Sequence, residues 1–258
     1  MAIILKENKK IDIYEKIITK EDKIIIAGPC AIESYDQLLK TAQFVKSKGA
    51  NVLRGGAYKP RTSPNSFQGL KEEGLEILKA VKKETGMAVI TELMDIRDLE
   101  KLYEVADIIQ IGSRNMQNFS LLTEVGKQDK PVMLKRGLCA TVSEWIGASE
   151  YIIKEGNNKI IMCERGIRTF EKYTRNTLDL TAVPIIQKET GLPTVVDPSH
   201  GTGVRYLIKP MSIGAFAVGA DGIMIEVHPN PSEALCDGEQ SLCFSEFEDL
   251  MESIKIFM

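Results

Sequence analysis

The sequence has a single tryptophan, two histidines and only 6% aromatic residues, and its charges nearly cancel, with 33 Lys and Arg against 36 Asp and Glu. A formal charge of -3 supplies no field that would draw the chain onto nucleic acid or an anionic bilayer, so neither is expected as a partner. Long apolar runs are missing too. No stretch approaches the roughly 18 apolar residues of a membrane span, and Met1 to Lys10 lacks the apolar region of a signal peptide. There is no Cys-x-x-Cys pair. The five cysteines, Cys30, Cys139, Cys163, Cys236 and Cys243, are odd in number and scattered. That argues against a disulfide framework and points to a reducing, cytoplasmic compartment.

What is present is ordinary globular material: 258 residues, 43% hydrophobic and 27% charged. Eight short β-branched runs recur at a steady interval: Ile24–Ala27, Asn51–Arg54, Ala88–Glu92, Asp107–Ile111, Pro131–Lys135, Lys159–Cys163, Pro193–Asp197 and Gly222–Glu226. Most are apolar throughout, which suits strands buried on both faces. Amphipathic stretches lie between them, such as Tyr35–Lys48, Gly69–Thr85, Asn118–Lys127 and Leu178–Glu189. Several of these end in Gly49, Gly86 or Gly191, where a left-handed cap is expected.

Alternating strands and helices imply parallel pairing with right-handed crossovers. Eight units predict a closed (β/α)8 TIM barrel over residues 23–258 as a single α/β domain. An open doubly wound sheet is the alternative, but no glycine-rich nucleotide fingerprint follows the first run. Residues 1–22 are expected to form an N-terminal hairpin, Ile3–Leu5 against Ile11–Tyr14, capping the barrel bottom.

In such barrels the active site lies at the C-terminal ends of the strands. Every run is followed there by charged or metal-binding residues: Cys30; Arg54, Lys59, Arg61, Thr62 and Ser63; Glu92; Arg114; Lys135 and Arg136; Glu164, Arg165 and Arg168; Asp197 and His200; Glu226 and His228. Up to eight Lys or Arg side chains gathered in a mildly acidic protein predict a cationic mouth that selects small polyanions, above all phosphorylated ones. A single such cation is as often a solvated loop charge; eight in register with eight strand ends are not. A second constellation is Cys30, His200, Glu226 and Asp237, from strand ends one, seven and eight, which are neighbours once a barrel closes. One thiolate, one imidazole and two carboxylates suit one divalent ion, Mn, Fe, Co or Zn. On spacing alone this is a weak signal, since a buried Cys is usually core.

The motifs Gly28-Pro-Cys30, Leu53-Arg-Gly-Gly-Ala57, Lys59-Pro-Arg-Thr-Ser63, Ile111-Gly-Ser-Arg-Asn115 and Leu134-Lys-Arg-Gly137 occur in this order. They are followed by Cys163-Glu-Arg-Gly-Ile-Arg-Thr-Phe170, Asp197-Pro-Ser-His-Gly201, Glu226-Val-His-Pro-Asn-Pro231 and Asp237-Gly-Glu-Gln-Ser241. Together, over residues 23 to 258, they resemble the Iβ branch of the type I 3-deoxy-D-arabino-heptulosonate 7-phosphate (DAHP) synthases. The resemblance implies a metal-dependent barrel that joins phosphoenolpyruvate to erythrose 4-phosphate, the first step of the shikimate pathway and so of aromatic amino acid biosynthesis. It also implies homo-oligomers, dimers or tetramers, and no organic cofactor.

Carried over by position, the resemblance makes Cys30, His200, Glu226 and Asp237 the metal ligands. It makes Arg54, Lys59, Arg114, Lys135 and Arg165 the phosphoenolpyruvate contacts, with Lys135 also a proton donor. Arg61, Thr62 and Ser63 fall on the loop for the phosphate of erythrose 4-phosphate, with Glu92 and Asp197 expected near the aldose or a bound water. The chain departs from the pattern at Ser113, where many relatives have Ala, and at Cys236 and Cys243, where small polar residues are commoner. The nearest rival is 3-deoxy-D-manno-octulosonate 8-phosphate synthase, with the same donor but arabinose 5-phosphate as acceptor. Its members typically carry Lys-Ala-Asn-Arg-Ser-Ser where this chain has Lys59-Pro-Arg-Thr-Ser63. A Schiff-base aldolase using Lys135, and a silent phosphate-binding protein, are the readings from other classes. The branch often gains feedback control from a fused effector domain. Residues 1–22 are far short of the roughly 50 such a domain needs, so aromatic amino acids, chorismate and prephenate are expected to leave the activity unchanged.

Overall fold

The computed structural model describes residues 11–13, 16–18, 23–60 and 63–258. Two short strands, β1 (Ile11–Ile13) and β2 (Lys16–Ile18), pair antiparallel. The first of them was expected to form a hairpin with Ile3–Leu5; the pairing described for it is the one with β2. Ile3–Leu5 and the side chains that would bear on a capping role lie outside the described residues.

Eight parallel strands then close on themselves: β3 (Ile24–Gly28), β4 (Val52–Arg54), β5 (Ala88–Leu93), β6 (Ile108–Ile111), β7 (Val132–Lys135), β8 (Ile160–Glu164), β9 (Thr194–Val196) and β10 (Gly222–Glu226). They are joined in chain order, and β10 closes the ring by pairing with β3 from Gly222↔Ile24 to Glu226↔Gly28. The predicted barrel is therefore observed, each strand lying within a residue or two of its expected run. Among the described residues no helix is long and apolar enough to cross a membrane.

Local signals set the helices between the strands. In α1 (Tyr35–Ser47) the Ser34 side chain accepts the Gln37 N–H at the N-terminus. Thr141 and Glu144 form a reciprocal capping box on α5 (Val142–Lys154). Gly86 and Gly191 end α2 (Glu72–Thr85) and α6 (Ala182–Thr190) in the left-handed conformation, which costs a residue without Cβ nothing.

Strand side chains alternate, and in a closed barrel one parity meets the helices while the other fills the barrel. The outward parity, for example Ile25, Leu53, Val89, Ile109 and Leu134, packs with the helices. The inward parity forms a separate interior cluster that includes Ile24, Ile26, Val52, Ile90, Ile108, Met133, Cys163, Val195 and Met224. One step further along that inward row the side chains become polar: Arg54 after Val52, Glu92 after Ile90, Gln110 after Ile108, Lys135 after Met133, Arg165 after Cys163, Asp197 after Val195 and Glu226 after Met224. The site is this last layer of the barrel interior. The pleat alone aims it at one point.

Candidate active site

A cavity of about 400 Å³ opens at the C-terminal ends of the strands. Arg54, Lys59, Arg114, Lys135, Arg165, Arg168 and Arg175 all line it, and Ser63 stands at its rim. So the phosphoenolpyruvate contacts expected from the sequence are brought together. Arg61 and Thr62 lie outside the described residues, though Pro60 and Ser63 on either side of them face the cavity. Arg54 is 5% exposed, and its Nε and Nη1 are buried without a hydrogen-bond partner. Buried unpaired donors are costly unless a ligand takes them, and a guanidinium calls for an anion. Glu92 reaches the same space because Gly112 has no side chain; a Cβ there would meet its Oε1 at 1.9 Å.

Beside the cavity, one ligand atom each from Cys30, His200, Glu226 and Asp237 lies within 4.8 Å of the others. Their origins are the loop after β3, the short helix α7 (Pro198–Thr202) after β9, the end of β10, and the loop that follows β10. Asp197 sits under the imidazole, its Oδ2 2.7 Å from His200 Nδ1. A carboxylate only accepts, so Nδ1 carries the proton and the lone pair is on Nε2. That lone pair points at Glu226 Oε1, 3.3 Å away, with Asp237 Oδ2 at 4.0 Å. Burial pushes the His200 pKa below its usual value, which favours the neutral ring a ligand needs. Glu226 Oε1 is buried without a hydrogen bond, with Arg54 Nη2 3.2 Å away as its ion-pair partner. Electron pairs from sulfur, nitrogen and two carboxylates thus converge, and the Cys30 thiol donates to Asp237 Oδ2 at 3.5 Å. A divalent cation fits that arrangement, and the carboxylate behind the imidazole is the support that metal-bound histidines ordinarily have.

Asp197 does more than hold His200. It is fully buried, and its Oδ2 also lies 2.6 Å from Lys135 Nζ, while Oδ1 accepts the His200 backbone N–H at 3.0 Å. Burial opposes its ionisation, but His200 and Lys135 hold its carboxyl well below the usual range. Both oxygens of Asp197 are thus engaged, by Lys135 and by His200. Lys59 donates to the Cys30 carbonyl at 3.0 Å and to its Sγ at 3.1 Å. The Cys30 pKa is raised by its hydrogen bond with Cys236 and by burial.

One expected cation is not in the cavity. Arg136 has the outward parity, and it forms buried ion pairs with Glu164 at 2.9 Å and Asp179 at 2.8 Å. Its Nε donates to Ala140 O at 3.0 Å. It braces the loops that follow β7 and β8. His228 likewise turns from the cluster, its Nε2 3.4 Å from Glu33 Oε2.

Three contributors were missed in the sequence. Arg175 reaches the cavity from the loop after β8, with Nη1 3.4 Å from Asp237 Oδ2 and 2.9 Å from Gln240 Oε1. Gln240 donates to Glu226 Oε2 at 2.5 Å. Gln110 lines the cavity and is 8% exposed. The period of two in Ile108-Ile-Gln110 would have found Gln110. Only folding of the loops brings in the other two.

A closed barrel whose last inward layer is cationic, set beside a convergent thiolate, imidazole and carboxylate cluster, defines a class of barrel enzyme built around small anionic substrates. Residues 3–256 match the model of the DAHP synthetase I family, and the chain belongs to that family. It is 55% identical over 249 residues to a phospho-2-dehydro-3-deoxyheptonate aldolase of Thermotoga maritima, covering 96% of this chain and 74% of that protein. It is 33% identical over 248 residues to a 2-dehydro-3-deoxyphosphooctonate aldolase of Syntrophobacter fumaroxidans, covering 89% of this chain and 85% of the relative. The crystal structure of the Thermotoga maritima DAHP synthase matches with a TM-score of 0.94 at 55% identity, over 98% of this chain and 74% of that one. A truncated form of 3-deoxy-D-arabino-heptulosonate 7-phosphate synthase from Thermotoga maritima gives 0.90 at 51% identity, over 98% and 92%.

Proposed function

We propose that this chain condenses phosphoenolpyruvate with erythrose 4-phosphate and water to give DAHP and phosphate, and that it needs one divalent metal ion, Mn, Fe, Co or Zn. The observation that carries the reading is the cationic cavity opening onto the four convergent ligand groups, in a chain of the DAHP synthetase I family. In that reaction C3 of phosphoenolpyruvate bonds to the aldehyde carbon of the acceptor, water adds at C2, and C–O cleavage releases phosphate.

Arg54, Lys59, Arg114 and Arg165 hold the donor's phosphate and carboxylate, which fixes C3 against the acceptor and removes the entropy of a bimolecular encounter. Lys135, oriented by Asp197, carries a proton to the oxygen or carbon where negative charge develops. Cys30, His200, Glu226 and Asp237 hold the metal, which supplies Lewis acidity for the aldehyde or for a water. Asp197 keeps the His200 Nδ1 proton in place, so Nε2 remains the ligand atom. The barrel from residue 23 onward acts as one catalytic unit, working in the cytoplasm as a homo-oligomer.

The four-carbon acceptor is favoured over arabinose 5-phosphate by Lys59-Pro-Arg-Thr-Ser63 and by 55% identity to the heptonate enzyme against 33% to the octonate one. Phosphate release with each aldose, with and without metal, tests the reading. Release with arabinose 5-phosphate alone would overturn it in favour of the rival. For the acceptor loop, Arg61→Ala is expected to raise KM for erythrose 4-phosphate about 10- to 150-fold, since a charge-assisted phosphate contact is worth about 1.5–3 kcal/mol. Steady-state kinetics with each substrate varied in turn would check this; an equal effect on phosphoenolpyruvate would assign the loop to the wrong substrate.

A further inference from the structure

A carboxylate ligand has a second oxygen, and one residue outside the four-group cluster takes the second oxygen of Glu226. Gln240 is 4% exposed, and its side-chain amide bridges two partners. Its Nε2 lies 2.5 Å from Glu226 Oε2, and its Oε1 lies 2.9 Å from Arg175 Nη1. A carboxylate only accepts and a guanidinium only donates, so these partners fix which end of the amide faces which. The other carboxylate oxygen, Glu226 Oε1, faces His200 Nε2 at 3.3 Å. The backbone holds this arrangement from both sides. Asp237 adopts a left-handed conformation, φ 51°, uncommon for a residue with a Cβ, and opens the short 3-10 turn Gly238–Gln240. A Cβ on Gly238 would meet Pro231 O at 2.1 Å, so this turn packs directly on the one before it. Beyond the turn, the Leu242 N–H donates to Glu226 O at 2.8 Å. One turn therefore supplies Asp237 and reaches back to Glu226. On the other side, the Arg175 N–H donates to Thr202 O at 2.7 Å, and Gly203 leaves the room its side chain needs.

We propose that Gln240 is a positioning residue of the divalent site. By donating to Oε2 it leaves Oε1 as the one oxygen that Glu226 offers a cation, and Arg175 keeps the amide turned that way. A carboxylate with both oxygens free can rotate about its last side-chain bond and present either oxygen or both; one held at Oε2 cannot. Glu226 is 0% exposed, so bulk water cannot take the place of the lost donor. The Arg54 ion pair at 3.2 Å lies on Oε1, and that oxygen has a second lone pair to give. Gln240 is not among the residues lining the cavity, so its influence on the reaction passes through Glu226. Residues that hold a ligand from behind in this way typically change metal affinity by about 10- to 100-fold.

The inference rests on the four-ligand reading, and the experiment separates the two. The metal-free full chain and its Gln240→Met and Gln240→Asn variants, each shown by a thermal melt to be folded at the titration temperature, are titrated with Mn²⁺ against a competing chelator. Each is also loaded with Co²⁺ and its visible absorption recorded. Methionine keeps the length of the side chain and cannot donate. Asparagine keeps the amide but is one methylene short, which carries the donor out of hydrogen-bond range of Oε2; it keeps the test open if methionine weakens the buried turn. Both variants should bind Mn²⁺ about 10- to 100-fold more weakly than the parent. Their Co²⁺ bands should shift in position and intensity, because Glu226 is no longer held to one oxygen. Parent-like Mn²⁺ affinity in either folded variant would overturn the inference. So would weaker binding with an unchanged Co²⁺ spectrum, which would reduce Gln240 to a support of the turn. A parent chain that takes up no Mn²⁺ would instead overturn the four-ligand reading, on which the role of Gln240 depends.

Discussion

Removing divalent metal with a chelator is expected to abolish phosphate release from phosphoenolpyruvate and erythrose 4-phosphate, and Mn²⁺ or a similar ion to restore it. The expectation rests on lone pairs that face one another. His200 Nε2, Glu226 Oε1, Asp237 Oδ2 and Cys30 Sγ meet without a proton shared among the first three. Bringing such groups together is unfavourable unless a cation repays the desolvation. Cys30→Ala should lose tight metal binding and activity together, because a site with one ligand fewer has neither the affinity nor the geometry. The fold should survive: Cys30 follows a strand end, and one buried sulfur contributes on the order of 1 kcal/mol. Metal content by elemental analysis, activity after reconstitution and a thermal melt read these separately. Full activity in a metal-free preparation would sink the idea.

Lys135→Met is expected to lower kcat by about 10²- to 10⁴-fold, the usual range for a positioned proton donor, with metal content unchanged. Lys135 is the inward residue at the end of β7, 4% exposed, and it faces the cavity on one side and Asp197 on the other. Removing one partner of a buried ion pair also destabilises, by about 3–5 kcal/mol, so kinetics must be read on protein shown to be folded at the assay temperature. Lys135→Arg retains the charge and separates the two effects. A Lys135→Met protein with unchanged kcat and only a higher KM for phosphoenolpyruvate would reduce Lys135 to a binding residue. Borohydride treatment with substrate present should leave no covalent adduct; trapping at Lys135 would revive the Schiff-base reading.

The eight strands were legible because each is written locally, as a short apolar run with turn residues beyond it, and parallel strands buried on both faces leave no polar alternation to confuse them. The ends of those runs then gave most of the site, since a barrel gathers its strand ends at one face whatever the helices do. An apolar run as short as Ile11–Tyr14 does not say whether a partner precedes or follows it; among the described residues Ile11–Ile13 pairs with Lys16–Ile18, and Ile3–Leu5 lies outside them.

The sequence by itself determined the order of strands and helices, the cationic character of the mouth, and the four residue types able to hold a metal. Periodicity and turn chemistry act over a few residues, so they survive in a linear reading. Only the tertiary structure decided which charges serve the site. Arg136 and Lys135 are adjacent in the chain, yet the pleat sends one outward to Glu164 and Asp179 and the other inward to Asp197. Arg175 and Gln240 come in from loops with no period to follow, and Cys236 meets Cys30 across 206 positions of sequence. Contacts of that span depend on strand register and on the path of each loop, which the closing of the whole barrel sets and no local run of residues encodes.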